Sequence, residues 1–284
     1  MFADDTELYS SLPNDPTDAH LKLQNIEQCC SEIKNWMDKN KLKLNETKTE
    51  VLLCGPKHRR DIIPVCSLNV AGANISFTDH VKTLGVYFDS DLSFDHQIAF
   101  LVKTCYFHLK NLGQIRPYLN KKVSNAIAVF LIHSRLDYCN SLLTGLPKYQ
   151  LKRLQSVQNS AARVVTKSNK LDHITPVLND LHWLPIHKKI DYKLLSITQK
   201  CVIGACPQYL SDLLNTYKPA RNLRSSNQTL LCIPSVKDIS TKRYGERCFR
   251  YKSPVLFNEL PDELRCIDNA ISFKKKLKTH LFKN

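Results

Sequence analysis

The stretch at residues 81–112, VKTLGVYFDSDLSFDHQIAFLVKTCYFHLKNL, contains the change of pattern that decides the fold class. Residues 81–88 have the composition of a β-strand. After Asp95 the apolar residues return every three or four positions, as on one face of an amphipathic helix. We expect that face to comprise Ile98, Leu101, Val102, Cys105, Leu109 and Leu112. The sequence therefore predicts an α+β fold, with strands and one helix before this stretch and helices after it.

Before the stretch, the strongest signal is Asp15-Pro16, an N-cap residue followed by proline at the first helical position. It predicts an amphipathic helix that ends near Asn40. Residues 50–54 and 74–77 are predicted strands, and residues 57–60, KHRR, are predicted to form a basic loop. Residues 2–9 are expected to form all or half of a hairpin around an acidic pair.

After the stretch, the periodicity predicts helices over residues 123–143, 148–166 and 273–282. In the second of these, Arg153, Arg163 and Lys167 lie along a polar side. The region from about Asp172 is predicted to be a smaller helical region interrupted by prolines. The two tryptophans, Trp36 and Trp183, are expected to anchor the core rather than to stack on nucleic-acid bases.

The composition narrows the class of protein. The chain has 284 residues, a hydrophobic fraction of 43% and a mean hydropathy of −0.30, which suit a globular protein. No stretch approaches the ~18 consecutive apolar residues typical of a membrane span, so we expect no membrane partner. The start has no signal-peptide pattern, and 11 cysteines are an odd number. We expect reduced thiols and an intracellular location, in the nucleus or cytoplasm.

Charge is divided unevenly along the chain. The formal net charge is +15. Residues 1–100 carry 10 Lys/Arg and 15 Asp/Glu, whereas residues 101–284 carry 31 Lys/Arg and 11 Asp/Glu. The first part is thus slightly acidic and the second strongly basic. This asymmetry favours a polyanionic partner, most simply nucleic acid, although a generally basic surface is the plainer explanation.

Two candidate metal sites each have a plainer alternative. Asp4 and Asp5 are adjacent, and such a pair usually belongs to a solvated turn; on a tight hairpin it can instead hold Mg²⁺ for phosphoryl transfer. His182, His187, Cys201 and Cys206 could hold zinc on paper, but their spacing matches no standard zinc module, which favours core packing. The sequence contains no glycine-rich phosphate loop and no nucleophile elbow, so we expect no small-molecule cofactor.

Several segments together resemble reverse transcriptases of LINE-type non-LTR retrotransposons, of the jockey/chicken-repeat branch. FADDTELY (2–9) is similar to their [FY]-x-D-D catalytic hairpin, and Trp36-Met37 followed by residues 40–55, NKLKLNETKTEVLLCG, is similar to the next segment. Residues 81–98 resemble the primer-grip hairpin and the entry to the thumb. Residues 134–148, 154–166 and 172–195 resemble the thumb and the C-terminal region. The resemblance covers essentially the whole chain.

The resemblance implies roles for individual residues. Asp4 and Asp5 would be the metal-binding carboxylates of the catalytic hairpin, and Lys48 would lie near the incoming nucleotide. Leu84, Gly85 and Val86 would form the primer grip, with glycine allowing close approach of a backbone. In the thumb-like helices we expect contacts to the backbone of an RNA/DNA template-primer. The candidate residues for those contacts are Arg116, Lys121, Lys122, Lys152, Arg153 and Arg163.

The resemblance also implies an organisation and a function. Residues 1–94 would be part of the polymerase palm, residues 95–170 a helical thumb-like domain, and residues 171–284 a basic helical C-terminal region. The family enzyme is an RNA-directed DNA polymerase that uses Mg²⁺. That enzyme also needs an aspartate on an upstream palm strand and a fingers region, and no segment of this sequence matches either. We therefore expect this chain alone to bind nucleic acid without polymerising DNA. Two alternatives are a co-opted, non-catalytic nucleic-acid-binding protein and a translated element fossil without function.

Overall fold

The structure, a computed structural model, describes residues 6–63, 67–217, 229–235 and 242–283 and shows an α+β protein. The chain divides into two compact units, residues 1–97 and residues 98–284. The boundary between the units lies close to the predicted division at residues 94/95. The regions predicted as 95–170 and 171–284 fall almost wholly within the second unit.

The first unit begins with helix α1, Pro16–Lys39. The Asp15 carboxylate accepts hydrogen bonds from the backbone N–H groups of Thr17 (2.9 Å) and Asp18 (3.2 Å), as the sequence predicts. Leu23 and Cys30 of this helix pack against the sheet that follows. Trp36 is 59% exposed, so its prediction as a core anchor is wrong.

In the described part of the chain, five short strands form two small sheets. Strand β1, Val51–Leu52, pairs in parallel with β3, Ala73–Thr78, which pairs antiparallel with β2, Ser67–Val70. The predicted strand at 74–77 is confirmed, the one at 50–54 is shorter than predicted, and β2 was not predicted. The segment Lys57–Arg60, predicted as a loop, forms one turn of helix, α2.

The second sheet is a hairpin of β4, His80–Thr83, and β5, Val86–Asp89. Leu84 and Gly85 form its two-residue turn with φ values of +48° and +82°. Positive φ at both positions gives the backbone twist that suits a tight hairpin. The single strand predicted over 81–88 is therefore wrong, whereas the hairpin implied by the resemblance is present. The other predicted hairpin falls partly on residues 1–5, outside the described residues, and residues 6–9 form no strand.

The rest of the described chain is helical. The helices are α3 Asp95–Ile115, α4 Lys121–Ala128, α5 Ser134–Asp137, α6 Lys148–Thr166, α7 Ile174–Asp180, α8 Ile186–Val202, α9 Gln208–Ser211, α10 Lys242–Gly245, α11 Phe249–Asn258, α12 Asp262–Arg265 and α13 Ala270–Lys283. The predicted core face of α3 is confirmed, since only Val102 among its six residues is incompletely buried. None of the helices in the described part of the chain is long and apolar enough to cross a membrane.

A π-helical turn at Val129–His133 interrupts the helix predicted over 123–143. A π-turn adds a residue to the helical repeat and so rotates the faces that precede and follow it. The buried residues of α4 are Ser124 and Ala128, and Phe130 lies on the opposite side of the helix, where it is 75% exposed. His133 lies five residues after Ala128, and the π-turn brings it to the buried side.

The centre of the second unit is α8, which packs against α11 and α13. Their shared core includes Leu195, Phe257, Phe273 and Leu277, all almost fully buried. Removal of a side chain of this size from water stabilises a fold by about 1.5–3 kcal/mol. Prolines 185, 207 and 261 each stand immediately before a helix, whereas Pro176 and Pro254 lie inside helices α7 and α11.

Candidate nucleic-acid interface

Residues 96–171, which run from the first turn of α3 past the end of α6, contain one acidic residue, Asp137. The same stretch contains 12 lysines and arginines. A protein surface with basic groups and few acids attracts the phosphate backbone without regard to base sequence. The exposed side chains of these helices are therefore the strongest candidates for a nucleic-acid interface.

The one acid is already paired within the protein. Both carboxylate oxygens of Asp137 accept hydrogen bonds from Nζ of Lys189 in α8, at 2.9 and 3.0 Å. The Lys189 side chain is only 13% exposed, and burial lowers its pKa although Asp137 opposes that shift. Asp137 thus neutralises the buried ammonium of Lys189. It therefore offers little negative charge to a ligand.

The imidazole of His133 completes this buried cluster. Its Nδ1 lies 2.8 Å from Nζ of Lys189, and its ring packs against Trp183 with centroids 4.0 Å apart. Since an ammonium only donates, Nδ1 accepts and the ring is neutral. Burial and the neighbouring Lys189 lower the pKa of His133 to about 3. Trp183 is 5% exposed, so its prediction as a core anchor is confirmed. This cluster was not predicted from the sequence, in which the isolated acid at position 137 was the available signal.

Helix α6 presents a basic stripe on the side away from its buried residues. Spacings of three and four residues place these side chains on one face of the helix. The stripe consists of Tyr149, Lys152, Arg153, Ser156, Ser160, Arg163 and, at the helix end, Lys167. Lys152 and Lys167 are exposed, and Tyr149 is 59% exposed. Arg163 is half-buried and donates to the Asp172 carbonyl at 3.3 Å. The predicted residues Lys152, Arg153 and Arg163 therefore share one face.

Helix α3 has a similar exposed face, with aromatic and basic residues in alternation. Lys103, Phe107 and Lys110 follow one another at helical spacing, and Tyr106 lies beside them. Phe107 is 61% and Tyr106 41% exposed. Bases can stack on exposed aromatic rings while lysines contact phosphates. None of these four residues was among the predicted contacts.

Arg116 has a different role from the predicted one. It is 8% exposed, and its guanidinium donates to the carbonyls of Val164 and Val165 in the last turn of α6 and to Leu119. A cation that bonds the last carbonyls of a helix complements the negative end of the helix dipole. Its donors are used inside the protein, which is a correction to its place among the nucleic-acid contacts. The bond also brings the C-terminal ends of α3 and α6 together.

The remaining predicted thumb residues lie at the start of α4. Nζ of Lys121 contacts a carboxylate oxygen of Asp180 at 2.5 Å, with both side chains more than half exposed. Such exposed pairs contribute at most about 1 kcal/mol. Lys122 is exposed. Both cations are reachable from solvent, but Lys121 already shares its charge with an acid.

The predicted residues of the first unit are spread over separate elements. Asp4 and Asp5 lie outside the described residues. Lys48 is exposed at the end of a short 3₁₀ helix, Glu46–Lys48, whose N-cap is Asn45. The Asn45 side chain accepts a hydrogen bond from the Thr47 N–H at 3.1 Å. This cap gives Asn45 a structural role in the segment.

The predicted primer-grip residues form the tip of the β4–β5 hairpin. Leu84 is 52% exposed and Gly85 is exposed, whereas Val86 is buried at 4%. Val86 is therefore the buried residue of this turn region, and Leu84 and Gly85 form the exposed tip. The carboxylate of Asp89 accepts from the N–H groups of Ser93 (2.8 Å) and Phe94 (2.6 Å) and shapes the turn into α3. This structural role of Asp89 was not predicted.

The four residues weighed as zinc ligands separate into two pairs. His182 and His187 are exposed, which makes their predicted core packing wrong. Cys201 is buried, as predicted, and its Sγ lies 2.8 Å from that of Cys206. Within the described ranges, no group of three His, Cys, Asp or Glu side chains is placed to hold a metal ion.

The chain matches no protein-family model, no curated protein and no solved structure.

Proposed function

We propose that the chain is the palm end, thumb and C-terminal region of a LINE-type reverse transcriptase, and that its helical unit binds the RNA/DNA template-primer. The observation that carries the proposal is the nearly acid-free run of residues 96–171. The only acid in that run is paired with Lys189, so the exposed lysines of α3 and α6 have no unpaired acid within the run beside them.

The contacts we propose are sequence-independent. Lysines on exposed helical faces reach phosphates, and hybrid duplexes are bound mainly through shape, phosphates and 2′-hydroxyl groups. The proposed contacts are Lys148, Lys152, Arg153, Arg163 and Lys167 on α6 and at its end, Lys103 and Lys110 on α3, and Lys122 at the start of α4. Arg116 is left out, since its guanidinium is bonded within the protein.

Salt dependence of binding tests this proposal. Each phosphate contact adds about 0.9 to the slope of log affinity against log salt concentration, so Lys148→Gln, Lys152→Gln and Lys167→Gln together should lower the slope by about 2–3. All three lysines are exposed, so the fold should tolerate the changes. The measurement is fluorescence anisotropy of an end-labelled RNA–DNA hybrid duplex over a range of potassium chloride concentrations.

The matched control changes the same net charge in the first unit. Lys22→Gln, Lys39→Gln and Lys43→Gln are also exposed and should leave the slope nearly unchanged. An equal fall in slope for both triple variants would mean that net charge alone drives binding. Unchanged slopes in both would remove the α6 stripe from the interface.

The catalytic part of the proposal concerns Asp4 and Asp5. In the family resemblance they are the carboxylates that hold Mg²⁺, and we assign no step to them in this chain. We expect the purified chain to bind the duplex but not to extend the primer. Template-directed primer extension that requires Mg²⁺ and is lost in Asp4→Asn would contradict that expectation.

Binding without extension also fits the second candidate, a co-opted nucleic-acid-binding protein. The exposed aromatic residues between the lysines of α3 favour it, because they suit unpaired bases better than a duplex. Tighter binding of single-stranded RNA than of the hybrid duplex, lost in Phe107→Ala, would support this candidate over a template-primer contact.

A further inference from the structure

One motif of the sequence, Cys201-x4-Cys206, is used by neither the fold nor the proposed interface. The two sulfur atoms lie 2.8 Å apart. This distance is about 0.8 Å longer than the bond of a disulfide, so a small movement would join them. Cys201 is 7% exposed, whereas Cys206 is half-buried at the surface side of the pair.

The end of α8 holds the two cysteines in this arrangement. The Ala205 N–H donates to the Lys200 carbonyl (2.8 Å) and the Gly204 N–H to the Cys201 carbonyl (3.1 Å). Gly204 has a φ of +69°, the left-handed conformation that ends many helices. These two bonds define a Schellman turn, which returns the chain toward the last helical turn and brings Cys206 over Cys201.

The surroundings of Cys206 are polar. Its Sγ lies 3.1 Å from the Ser211 hydroxyl and 3.6 Å from the Pro207 carbonyl. The sulfur of Cys201 instead lies in the core at the end of α8, and burial raises its pKa to about 12. The two thiols therefore differ in access, and Cys206 is the one that a dissolved oxidant reaches first.

We propose that Cys201 and Cys206 form a dithiol site at which oxidants of the peroxide class close an intramolecular disulfide across the turn after α8. The Cys206 thiolate attacks one peroxide oxygen, the O–O bond breaks, and the sulfur becomes a sulfenic acid. The Cys201 sulfur then attacks the sulfenic sulfur, an S–S bond forms, and the S–O bond breaks. The hydroxide released from the peroxide takes the proton that Cys206 loses and forms the first water. The hydroxide released from the sulfenic sulfur takes the Cys201 proton and forms the second, so two thiols and one hydrogen peroxide give a disulfide and two waters.

Peptide mass spectrometry of the full-length chain after oxidation tests the proposal directly. The folded protein is exposed to hydrogen peroxide, quenched with N-ethylmaleimide and digested with trypsin. Both cysteines fall in one tryptic peptide, residues 201–221, because no lysine or arginine lies between them and the bond from Lys218 to Pro219 resists trypsin. We expect this peptide to lack two hydrogens and to carry no maleimide, and to gain two maleimides when dithiothreitol precedes the alkylation.

Variants identify the roles of the two sulfurs. In Cys206→Ser, Cys201 should stay a thiol, because the oxidant does not reach it. In Cys201→Ser, Cys206 should advance to sulfinic acid, since no second thiol intercepts the sulfenic acid. Cys266→Ser, which removes an exposed thiol elsewhere in the same unit, should leave disulfide formation in the 201–221 peptide unchanged.

Three results would overturn the proposal. The wild-type peptide could carry two maleimides after the exposed Cys54, Cys248 and Cys266 have been oxidised. It could carry sulfinic acid at Cys206 beside a free Cys201. Finally, it could be found cross-linked to a different peptide. Each would show that the two thiols do not react with one another in the folded protein.

Discussion

The two units of the chain each contain a long amphipathic helix, and they differ in how much of its apolar face is buried. In the first unit α1 packs against one small sheet, and two of its large apolar residues, Leu21 (57%) and Trp36 (59%), remain exposed. In the second unit α8 is covered by α6, α11 and α13, and eight of its residues are buried. Helical periodicity thus indicates which face is apolar, but the number of packed neighbours decides how much of that face leaves water.

The units also differ in how they use charge. The ion pairs of the first unit, Lys34–Glu46 and Arg60–Asp91, lie at its surface or are partly exposed. In the second unit the pair Asp137–Lys189 has its cation buried beside His133 and Trp183. The cation of Arg60–Asp91 is nearly as covered as that of Asp137–Lys189, at 19% against 13% exposed, so the distinguishing feature of the second unit is the neutral imidazole that shares its ammonium.

The largest expected effect separates the two tryptophans. Trp183→Ala removes a buried ring and leaves a cavity, which should lower the free energy of unfolding of the second unit by about 3–5 kcal/mol. Trp36→Ala removes an exposed ring and should cost less than about 0.5 kcal/mol. Urea denaturation followed by circular dichroism measures both, and equal losses would contradict the difference in packing between the units.

A smaller effect is expected from Asp137→Asn. The change leaves the buried Lys189 ammonium without its carboxylate, which should cost about 2–3 kcal/mol because Asp137 itself is 46% exposed and partly reached by water. Asp180→Asn breaks the exposed pair with Lys121 and should cost less than about 1 kcal/mol. Denaturation midpoints of the two variants supply the comparison, and a cost for Asp180→Asn as large as that for Asp137→Asn would disprove it.

The pH dependence of stability tests the buried His133. Its pKa is about 3 in the folded protein, below the ordinary value of 6.5, so the unfolded chain binds the extra proton first as the pH falls. Stability should decline below pH 6.5, by about 1.4 kcal/mol per pH unit from this group, and should level only near pH 3. Between pH 6.5 and 5 the loss should be about 2 kcal/mol greater than in His133→Gln.

The readout for this prediction is the fluorescence of Trp183 in a Trp36→Phe background, which reports on the second unit. The His133→Gln variant keeps a side chain able to accept from Lys189 but does not titrate in this range. Parallel stability curves for the two proteins would place the imidazole in water rather than in the core.

The smallest predicted effect concerns the hairpin of the first unit. Leu84 occupies a left-handed conformation, which costs a branched apolar residue more than asparagine. Leu84→Asn creates the Asn-Gly pair typical of such turns and should stabilise the first unit by about 0.5–1 kcal/mol. Hydrogen exchange of the β4–β5 amides would detect slower opening, and faster exchange would argue against this turn geometry.

Local signals predicted much of the helical framework. The N-cap and proline at residues 15–16 placed the start of α1, and apolar spacing predicted the bounds of α6 and the buried face of α3. The strands were predicted less well, because β1 has two residues and β2 lacks a distinctive pattern. The hairpin at 80–89 depends on a leucine at positive φ, which no propensity would place there.

The candidate interface was predicted only in part. Charge along the chain pointed to the second unit, and periodicity placed Arg153, Arg163 and Lys167 on one side of α6. The sequence could not distinguish Arg116 from those residues, because an arginine that bonds helix carbonyls has the same local context as one that faces solvent. Its role depends on residues 48 positions away.

The order of residues alone determined which parts of this protein are helical, where its charge lies and which residues resemble a reverse transcriptase. Those properties depend on neighbours three or four positions apart and on composition, both of which can be read along the chain. The tertiary structure decided that His133 enters the core, that Lys189 pairs with the only acid of residues 96–171, and that Cys201 lies against Cys206. These outcomes depend on a π-turn, on a partner in another helix and on a left-handed glycine. Periodicity along the chain does not specify any of these three features.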